Sequence, residues 1–393
     1  MKILFVNVLY SPNIGGVENY IQSVAKELNN SKNIVEIIVS DRVLKGVAQP
    51  KKKEKRTEGI IYRYHYGSFP FSYIFSMINA WYIIRKRLRK QLYFDKVIVR
   101  NHHSALICWL AGIKDFIYIV PAIYSNQNIK NKYSKKINIL FGYWANLYLQ
   151  KIALYVSKEI IVLSDLMMDQ VRKFLKNENN MVRVKKIPPG VDVKRFYPKE
   201  KKEKASLRES LNLPQEHKLL LAIGRFSEVK GFDIAISALI HLPDHIHLVL
   251  VGEGAEREKY LQIAKVCGIE GRLHIKPSTN QPENYYGAVN AFILPSVHEP
   301  FGQVLLEATA SGLPIAAFSK KSGVTTATEE IYKVYSNLIF LAQDYSSVAL
   351  ANAITEMLNF SQKSNINYMA ERDLFLIEYS WKNVTDKILR HKL

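Results

Sequence analysis

The sequence has little of what stabilises small secreted proteins or anchors membrane proteins. Its 393 residues include two cysteines, Cys108 and Cys267, and each lies in a largely apolar stretch. Two cysteines so far apart fit neither a disulfide framework nor a zinc site, which predicts a reducing cytosol. No apolar run reaches the ~18 residues of a membrane-spanning helix. The N-terminal run ends in a glycine turn without an A-x-A site, which indicates a buried strand and not a signal peptide.

Acidic residues are scarce in the first part of the chain. Residues 1–190 contain 31 Lys and Arg against 12 Asp and Glu, whereas residues 191–393 contain 24 against 23. The formal net charge of +20 therefore comes almost entirely from one region. Such a surplus indicates a face that meets phosphates, nucleic acid or an anionic membrane, although a lysine-rich solvated surface would give the same counts.

Several ligand-binding signatures are also missing. The first glycine loop, residues 15–19 (GGVEN), is not the G-x-G-x-x-G of dinucleotide-binding proteins, and no Walker lysine follows it. No RNP, zinc-finger or helix-turn-helix pattern is present, so we expect no nucleic-acid partner. The length and the 48% hydrophobic content leave a globular protein with material for two domains.

Short apolar runs, each followed by a turn and a helical pattern, predict the fold. Residues 3–9 are followed by a glycine turn and by apolar residues at helical spacing between Val17 and Leu28. After a Pro-rich turn at residues 187–190, the same unit begins again with the run at 219–223. Further predicted strands are residues 35–39, 96–100, 116–120, 160–163, 247–251 and 291–294.

We therefore predict an α/β fold of two Rossmann-like, doubly wound domains facing a cleft, with a linker near residues 188–200. The first domain would span residues 1–190 and the second residues 191–378. Ligands of such sheets bind at the carboxyl ends of the strands, so the loops that follow strands are the place to look for function.

The densest chemical pattern is residues 296–308 (SVHEPFGQVLLEA). Glu299 precedes a predicted helix and Glu307 falls about two turns into it, so the first can bond sugar hydroxyls and the second can reach a ribose. The unpaired amides at the helix start would bind a diphosphate. They belong to Gly302, Gln303 and Val304. The plainer alternative is a carboxylate that favours the helix dipole and an exposed glutamate.

A second pattern is the loop at residues 224–231 (GRFSEVKG), which directly follows a predicted strand. Arg225 and Lys230 could both reach one phosphate group, Arg225 through its planar guanidinium and Lys230 as a point charge. Together they could neutralise a leaving diphosphate without a metal. The alternative is an ordinary solvated loop between a strand and a helix.

These segments resemble the retaining, GT-B-fold glycosyltransferases of the family called glycosyl transferases group 1. The resemblance covers nearly the whole chain. It is carried by the Glu-x7-Glu element in HEPFGQVLLEA, by GRFSEVKG, by the VGEG turn at 251–254, by IPPGVDVKRFYP at 187–198, and by the N-terminal GGVENYIQSVAKEL.

The resemblance implies a hexosyltransferase that uses a nucleotide-sugar, UDP- or GDP-linked, with no other cofactor and no metal. Arg225 and Lys230 would bind the diphosphate, Glu299 and the amides of residues 302–304 the donor sugar, and Glu307 the ribose. The loop of Gly15 and Gly16 would approach the donor phosphates from the first domain, which is the acceptor side. The final helix, about residues 379–393, would pack back on that domain.

The chain departs from the family pattern at a histidine. Many members carry one after a first-domain strand, near the reacting sugar, but residues 116–123 contain none. His102 and His103 are the nearest substitutes, so with Glu299 they are the predicted catalytic residues, a structural role being the alternative. Residues 320–328 also lack the usual Gly-Gly-Pro-Glu-like ending, although Glu329 and Glu330 lie close by.

The acceptor side combines aromatic and basic residues. Residues 69–90 and 130–151 each join an apolar, aromatic stretch to basic residues, which suits an interfacial helix on anionic lipid. A core helix with a basic end is the alternative. The segment PKKKEKR at 50–56 is expected to be flexible and to add charge to the same face.

From these patterns we expect a cytoplasmic enzyme, peripheral on the inner face of the cell membrane, that acts on a glycan or lipid-linked acceptor in cell-surface polysaccharide synthesis. One alternative is a catalytically silent GT-B-like module that binds membranes or polyanions. Another is a related sugar-nucleotide epimerase, which the donor-type pattern disfavours. The sequence leaves open the nucleotide, the sugar, the acceptor, the linkage and the oligomeric state.

Overall fold

The computed structural model describes residues 1–13, 15–43, 48–67, 72–90, 93–123, 137–175, 181–360 and 366–390. The chain divides into two compact units, residues 1–188 with 384–393, and residues 189–383. Each unit contains one large, mostly parallel sheet. No described helix is both long enough and apolar enough to cross a bilayer.

The first unit is built on eight strands. They are β1 (Lys2–Val6), β2 (Ile34–Ser40), β3 (Lys53–Arg56), β4 (Gly59–Tyr64), β5 (Lys96–Val99), β6 (Ile117–Ile119), β7 (Glu159–Val162) and β8 (Val184–Lys186). Their order in the sheet is β3-β4-β2-β1-β5-β6-β7-β8, and the β3–β4 pair alone is antiparallel among the described strands. The described helices are α1 (Gly16–Asn30), α2 (Ser72–Arg89), α3 (His102–Leu110), α4 (Ile137–Val156) and α5 (Asp165–Leu175).

Burial explains why the predicted strands of this unit form. Ile3, Leu4, Phe5 and Val6 of β1 are almost fully buried, as expected of a central parallel strand covered on both faces. The apolar residues that predicted α1 lie on its buried side. The strand ends at Val6 and not at Leu9, because Asn7 turns the chain and its Nδ2 donates to the Leu9 carbonyl at 2.6 Å.

Residues 53–56 of the segment at 50–56 form a strand, where the composition indicated a flexible segment. Lys53–Arg56 form β3, the edge strand of the sheet. Arg56 Nε donates to Glu54 Oε2 at 2.9 Å, and Arg63 Nη1 pairs with Glu54 Oε1 at 2.5 Å. An edge strand rich in lysine is a common protection against edge-to-edge pairing.

The second unit is built on six parallel strands and a small two-stranded sheet. The six are β9 (Lys218–Ile223), β10 (Ile246–Val251), β11 (Leu273–Lys276), β12 (Ala291–Leu294), β14 (Ile315–Phe318) and β16 (Ile339–Ala342), in the order β11-β10-β9-β12-β14-β16. The small sheet pairs β13 (His298–Glu299) with β15 (Thr325–Thr326) in parallel.

The helices of the second unit follow its strands along the chain. They are α6 (Lys201–Ser210), α7 (Phe232–Ala238), α8 (Arg257–Val266), α9 (Pro282–Ala288), α10 (Gln303–Ala310), α11 (Thr328–Ile331), α12 (Ser347–Asn359), α13 (Ile366–Glu378) and α14 (Trp381–Arg390). The last of these begins in this unit and ends among the residues grouped with the first. The predicted strands at 219–223, 247–251 and 291–294 are confirmed.

Strand order places the functional loops. In the first sheet β1 lies between β2 and β5, and in the second β9 lies between β10 and β12. At such positions the connections leave in opposite directions and open a crevice at the carboxyl ends of the strands. The loops that follow β1 and β5, and those that follow β9 and β12, are therefore where each unit can hold a ligand.

Candidate functional site

In the second unit the loops that follow β9 and β12 are bonded to each other. The Val297 amide donates to the Val229 carbonyl at 2.9 Å. This joins the second loop to a 3-10 helix, Glu228–Lys230, at the end of the first. Nζ of Lys230 contacts Oε2 of Glu299, and both side chains are largely buried, 21% and 15% exposed. Two residues predicted for different parts of a donor thus form an ion pair.

Two glycines allow this approach. Gly231 has φ +61°, and a Cβ there would lie 2.1 Å from the Pro295 carbonyl oxygen. Gly252 has φ +152°, and a Cβ there would lie 1.9 Å from the Gly224 oxygen. Any other residue would collide with backbone at either position. Close backbone packing around this loop therefore requires glycine at positions 231 and 252.

The small sheet fixes the backbone of Glu299. The Thr325 amide donates to the Val297 carbonyl at 2.7 Å, and the Ala327 amide donates to the Glu299 carbonyl at 3.1 Å. Gly302, with φ +85°, directly precedes α10, and a Cβ there would lie 3.1 Å from Cγ of Glu299. Glu299 thus lies beside the start of α10, where the amides of the first turn have no helical partner.

Glu307 lies on the second turn of α10 and is not an exposed glutamate. The Tyr286 hydroxyl donates to Glu307 Oε2 at 2.9 Å and lies 3.3 Å from the Val304 carbonyl oxygen. Burial raises the pKa of Glu307 to about 7, against the opposing effects of the Tyr286 hydrogen bond and of Arg195. The carboxyl is therefore poised between its neutral and ionised forms at physiological pH.

Tyr286 and Arg195 were not among the residues predicted from the sequence. Arg195 belongs to the crossover segment at 187–198, and its Nε donates to Glu283 Oε2 at 2.8 Å. In the sequence that segment indicates a family resemblance and no site residue. An arginine within it was the one feature that could have indicated Arg195. Tyr286 lies on α9, 21 residues before Glu307, and no spacing in the sequence relates the two.

Arg225 is exposed on the loop that carries Lys230. The next residue, Phe226, is fully buried and its amide donates to the Glu253 carbonyl at 2.8 Å. The loop is therefore anchored directly beneath Arg225, which leaves the guanidinium on the surface of the second unit. The Glu253 carbonyl belongs to the VGEG turn after β10.

In the first unit, Gly15 and Gly16 begin α1. A Cβ on Gly15 would lie 2.4 Å from Oε2 of Glu18, whereas a Cβ on Gly16 would meet no atom within 4 Å. The Glu18 carboxyl thus folds back over the start of the helix. Burial raises the pKa of Glu18, while its own backbone amide and Arg100 oppose that rise. Gly15 makes room for this carboxyl, and Gly16 presents open backbone.

The two predicted histidines lie at the start of α3, and their surroundings differ. His102 is 3% exposed and its Nε2 lies 3.1 Å from Asn146 Oδ1. His103 lines a cavity. Burial, and secondly His102, lower the pKa of His103 to about 3; burial also lowers that of His102. Both rings are therefore neutral at physiological pH.

That cavity has a volume of about 520 Å³ and lies within the first unit. It opens where β1 and β5 end, since residues directly after both strands line it. The polar side chains around it include Asn7, Glu18, Arg42, Arg100, His103 and Asn146. Among these side chains the sequence patterns predict a catalytic role for His103 and no role for the two arginines.

Comparisons with known proteins match each unit to a glycosyltransferase family model. The sequence model described as Glycosyl transferases group 1 matches residues 203–372, and the model described as Glycosyltransferase Family 4 matches residues 14–195. Between them they cover the loops of both units described above. The second unit thus matches the glycosyl transferases group 1 family, and the first unit matches glycosyltransferase family 4.

Curated relatives match parts of this chain. The D-inositol 3-phosphate glycosyltransferase of Xylanimonas cellulosilytica is 34% identical over 144 residues, 34% of each chain. The lipopolysaccharide 1,2-N-acetylglucosaminetransferase of Salmonella typhimurium is 32% identical over 195 residues, 46% of this chain and 50% of the relative. The aligned segments thus span about a third to a half of the curated relatives' length.

Solved structures show the fold over the whole chain. The Anabaena protein HepE, solved with UDP and glucose, has a TM-score of 0.74 and 18% identity, and the match covers 99% of this chain and 98% of HepE. At that identity the likeness concerns the fold, which is GT-B, with two Rossmann-like domains. The predicted fold class is confirmed.

Proposed function

We propose that this protein transfers a hexose from a UDP- or GDP-linked donor, with retention at the anomeric carbon, to a glycan or lipid-linked acceptor in cell-surface polysaccharide synthesis. The observation that carries the proposal is the Lys230–Glu299 pair, held beside the start of α10 with Arg225 exposed on the same loop. The two glycosyltransferase family models and the lipopolysaccharide relative support the reaction and the acceptor class.

The donor diphosphate is assigned to Arg225, Lys230 and the first amides of α10. Negative charge develops on the diphosphate as the sugar leaves, and cations and amide dipoles that already contact the bound donor stabilise that charge. An arginine binds phosphate oxygens through two parallel N–H groups, while a lysine acts as a compact charge. These groups provide the stabilisation that a metal ion supplies in other phosphoryl-containing sites.

The two glutamates are assigned to hydroxyl groups of the donor. Glu299 forms an ion pair with Lys230. On donor binding, Lys230 turns to a phosphate and Glu299 to the sugar hydroxyls, so the ion pair is replaced by two contacts with one ligand. Glu307 accepts from the ribose hydroxyls, with Tyr286 fixing one of its oxygens. Both carboxylates act as ligands and neither as nucleophile.

His103 is assigned to hydrogen bonding and not to proton abstraction. A group with a pKa of about 3 is a poor base at neutral pH. Its neutral ring can still accept or donate one hydrogen bond to a hydroxyl in the cavity that it lines. His102, buried against Asn146, is assigned to positioning His103.

The first unit is assigned to an anionic membrane surface on the cytoplasmic side. Ile74, Phe75, Ile78 and Tyr82 of α2 are each more than half exposed. Lys86 and Arg89 of the same helix, and Lys90 directly after it, are exposed beyond them. An exposed apolar stripe that continues into basic residues suits the interface between headgroups and acyl chains.

Not every basic residue predicted for the membrane face is available. Arg87 Nη2 pairs with Glu36 Oε2 at 2.5 Å, and Arg85 Nη1 donates to the Ala111 carbonyl at 3.1 Å. The second predicted segment retains exposed Trp144 and Tyr148 on α4. Residues 69–71 and 130–136 of the two segments lie outside the described residues.

The test of the proposed function uses the full chain and a panel of UDP-glucose, UDP-N-acetylglucosamine and GDP-mannose. The correct donor should raise the melting temperature by mass action, and slow donor hydrolysis should be measurable. Glu299→Gln and Lys230→Ala should abolish both effects. Lys259→Ala, which removes a lysine paired with Asp233 elsewhere in the same unit, is the matched control.

Proton NMR of the product then gives its anomeric configuration. The proposal predicts that the product has the same anomeric configuration as the donor. An inverted product, or full turnover in Glu299→Gln and Lys230→Ala, would contradict it.

A further inference from the structure

The cavity of the first unit contains a buried cation whose N–H groups the described residues do not fully satisfy. Arg100 is 5% exposed and lines the cavity. Its Nε and Nη1 have no hydrogen-bond partner among the described residues. Its Cζ lies 3.7 Å from the centre of the Tyr20 ring, a contact that uses the face of the guanidinium and leaves the N–H edge unsatisfied. A buried charge without a full set of partners is destabilising, so an anion bound at this edge would stabilise the protein.

Arg100 keeps its charge despite burial. Desolvation lowers its pKa to about 10, and the neighbouring Tyr20, Glu18 and Tyr118 oppose that fall. At neutral pH the guanidinium is still protonated. Glu18 is the one acidic side chain among the described residues that line the cavity, and its pKa is raised by burial. It therefore compensates Arg100 incompletely.

A second arginine serves the same cavity. Arg42 also lines it, is exposed, and its Nη1 donates to the Tyr66 hydroxyl at 3.2 Å. One cation thus lies buried in the wall and another lies where solvent reaches. His103, the remaining titratable group of the α3 wall, is neutral. The described lining is therefore net positive at neutral pH.

We propose that this cavity binds a phosphoryl group of the acceptor, with phosphate oxygens on the N–H edge of Arg100 and on Arg42. The assignment of the molecule as acceptor rests on the proposed function; the phosphoryl site itself does not. A phosphoryl group has three free oxygens and so can satisfy two separate guanidinium groups at once.

The rest of the cavity suits a sugar or polyol that carries the phosphate. Its volume of about 520 Å³ exceeds what a phosphate group alone would fill. Apolar side chains, including Val8, Leu9 and Leu149, form part of the wall. Asn7 also lines it, and Oδ1 of this buried residue accepts no hydrogen bond among the described residues. That oxygen can accept from a ligand hydroxyl.

Binding is measured on the full chain without donor, by phosphorus NMR line broadening and by melting temperature at constant ionic strength. The probes are glucose 6-phosphate, inorganic phosphate, dihexanoyl phosphatidic acid and glucose. We expect glucose 6-phosphate to bind at least tenfold more tightly than glucose. Tighter binding of glucose 6-phosphate or of the short-chain lipid tells whether the phosphoryl group comes from a sugar or from a lipid headgroup.

Arg100→Met should weaken glucose 6-phosphate binding at least tenfold. Arg172→Met, which removes an exposed arginine elsewhere in the unit, should leave it unchanged. Without ligand, Arg100→Met should melt no lower than the wild type, because an unpaired buried charge is removed; a structural arginine would give a lower melting temperature. Arg42→Met, an exposed position, should also weaken binding and serves where Arg100→Met does not fold.

The donor-site variant Lys230→Ala separates this proposal from the proposed function. Phosphate binding that persists in Lys230→Ala and is lost in Arg100→Met supports the cavity site, even if no sugar transfer is ever observed. Binding that survives in both arginine variants, or that is lost in Lys230→Ala, overturns the cavity site and leaves the donor assignment standing.

Discussion

The ammonium group of Lys230 contacts the carboxylate of Glu299 across two loops that are 69 residues apart in the sequence. Because each of the two compensates the other's charge, removing either one changes the other. We predict that Lys230→Ala and Glu299→Gln each lower kcat/KM for sugar transfer by about 100-fold or more, the size seen when one stabilising contact to the transition state is removed. The double variant should lose little beyond the more severe single variant.

Steady-state kinetics on the four proteins measures this coupling. Lys259→Ala again provides the control, since its ion pair with Asp233 lies outside the two loops. If the two losses multiplied fully in the double variant, Lys230 and Glu299 would act independently and the ion pair would have no part in donor binding.

Glu307 should make donor affinity pH-dependent. Its pKa is raised to about 7, so the fraction that is ionised, and able to accept two ribose hydroxyls, increases between pH 6 and pH 8. Donor Kd should therefore fall across that range. Glu307→Gln should bind the donor more weakly and show a flatter pH dependence.

Isothermal titration with UDP at pH 6, 7 and 8 tests this dependence. Tyr286→Phe removes one hydrogen bond from the same carboxyl without removing its charge, so it should retain a pH dependence that Glu307→Gln loses. An unchanged slope in Glu307→Gln would show that another group titrates.

The parallel sheets could be predicted from the sequence because their central strands are buried on both faces. Runs such as residues 219–223 carry that burial as continuous apolar composition. The hairpin of β3 and β4 could not be predicted from the sequence. Lys53–Arg56 is an edge strand held by ion pairs, and its composition is that of a solvated segment.

The candidate site, like the fold, could be predicted from the sequence only in part. Arg225, Lys230 and Glu299 follow predicted strands, so their loops could be assigned to the carboxyl ends of a sheet. The contact of Lys230 with Glu299 depends on Gly231 lying against the Pro295 carbonyl, which no local pattern specifies. The sequence pattern predicts Arg100 as the last residue of a strand, and its unpaired N–H groups become evident only when its burial is known.

Gly231 should be indispensable for stability as well as for the loop. An alanine there would adopt φ +61° and also place Cβ 2.1 Å from the Pro295 oxygen. We expect Gly231→Ala to lower the free energy of unfolding by about 3 kcal/mol or more, the upper part of the range for strained backbone. Denaturant unfolding measures it.

Gly268→Ala isolates the backbone contribution. Gly268 has φ +65°, and a Cβ there would meet no atom within 4 Å. That variant should be destabilised by only about 1 kcal/mol, the cost of the left-handed conformation alone. Equal losses in the two variants would mean that the close approach to Pro295 does not constrain the loop.

The membrane assignment predicts that reversing the basic charges at the end of α2 abolishes vesicle binding. Vesicles with phosphatidylglycerol should bind the chain at low salt, and the triple change K86E, R89E and K90E should abolish co-sedimentation because it reverses three exposed charges at the C-terminal end of α2. The control changes three exposed basic residues elsewhere in the unit, K26E, R172E and K173E. Equal loss in both triple variants would indicate general charge attraction, and α2 would not be the contact.

The second unit should lose stability in mild acid through a histidine cluster at the amino ends of its strands. His247 is buried on β10, and its Nδ1 lies 3.0 Å from Nε2 of His274 on β11. Burial, and then His217 and His274, lower the pKa of His247 to about 4. Since an unfolded histidine titrates near 6.5, the unfolded chain binds more protons between these values. Stability is therefore complete above about pH 6.5 and falls as the pH falls toward 4.

Urea unfolding of the wild type and of His247→Phe at pH 7.5, 6 and 5 tests the cluster. His247→Phe retains a ring that can stack on His217 and removes the titrating group, so it should lose less stability between pH 7.5 and pH 5 than the wild type. His245→Gln removes an exposed histidine two residues away and should keep the wild-type slope. A wild-type slope in His247→Phe would assign the acid sensitivity to other groups, of which the buried His102 and His103 are the first to examine, because burial lowers the pKa of both in the same direction.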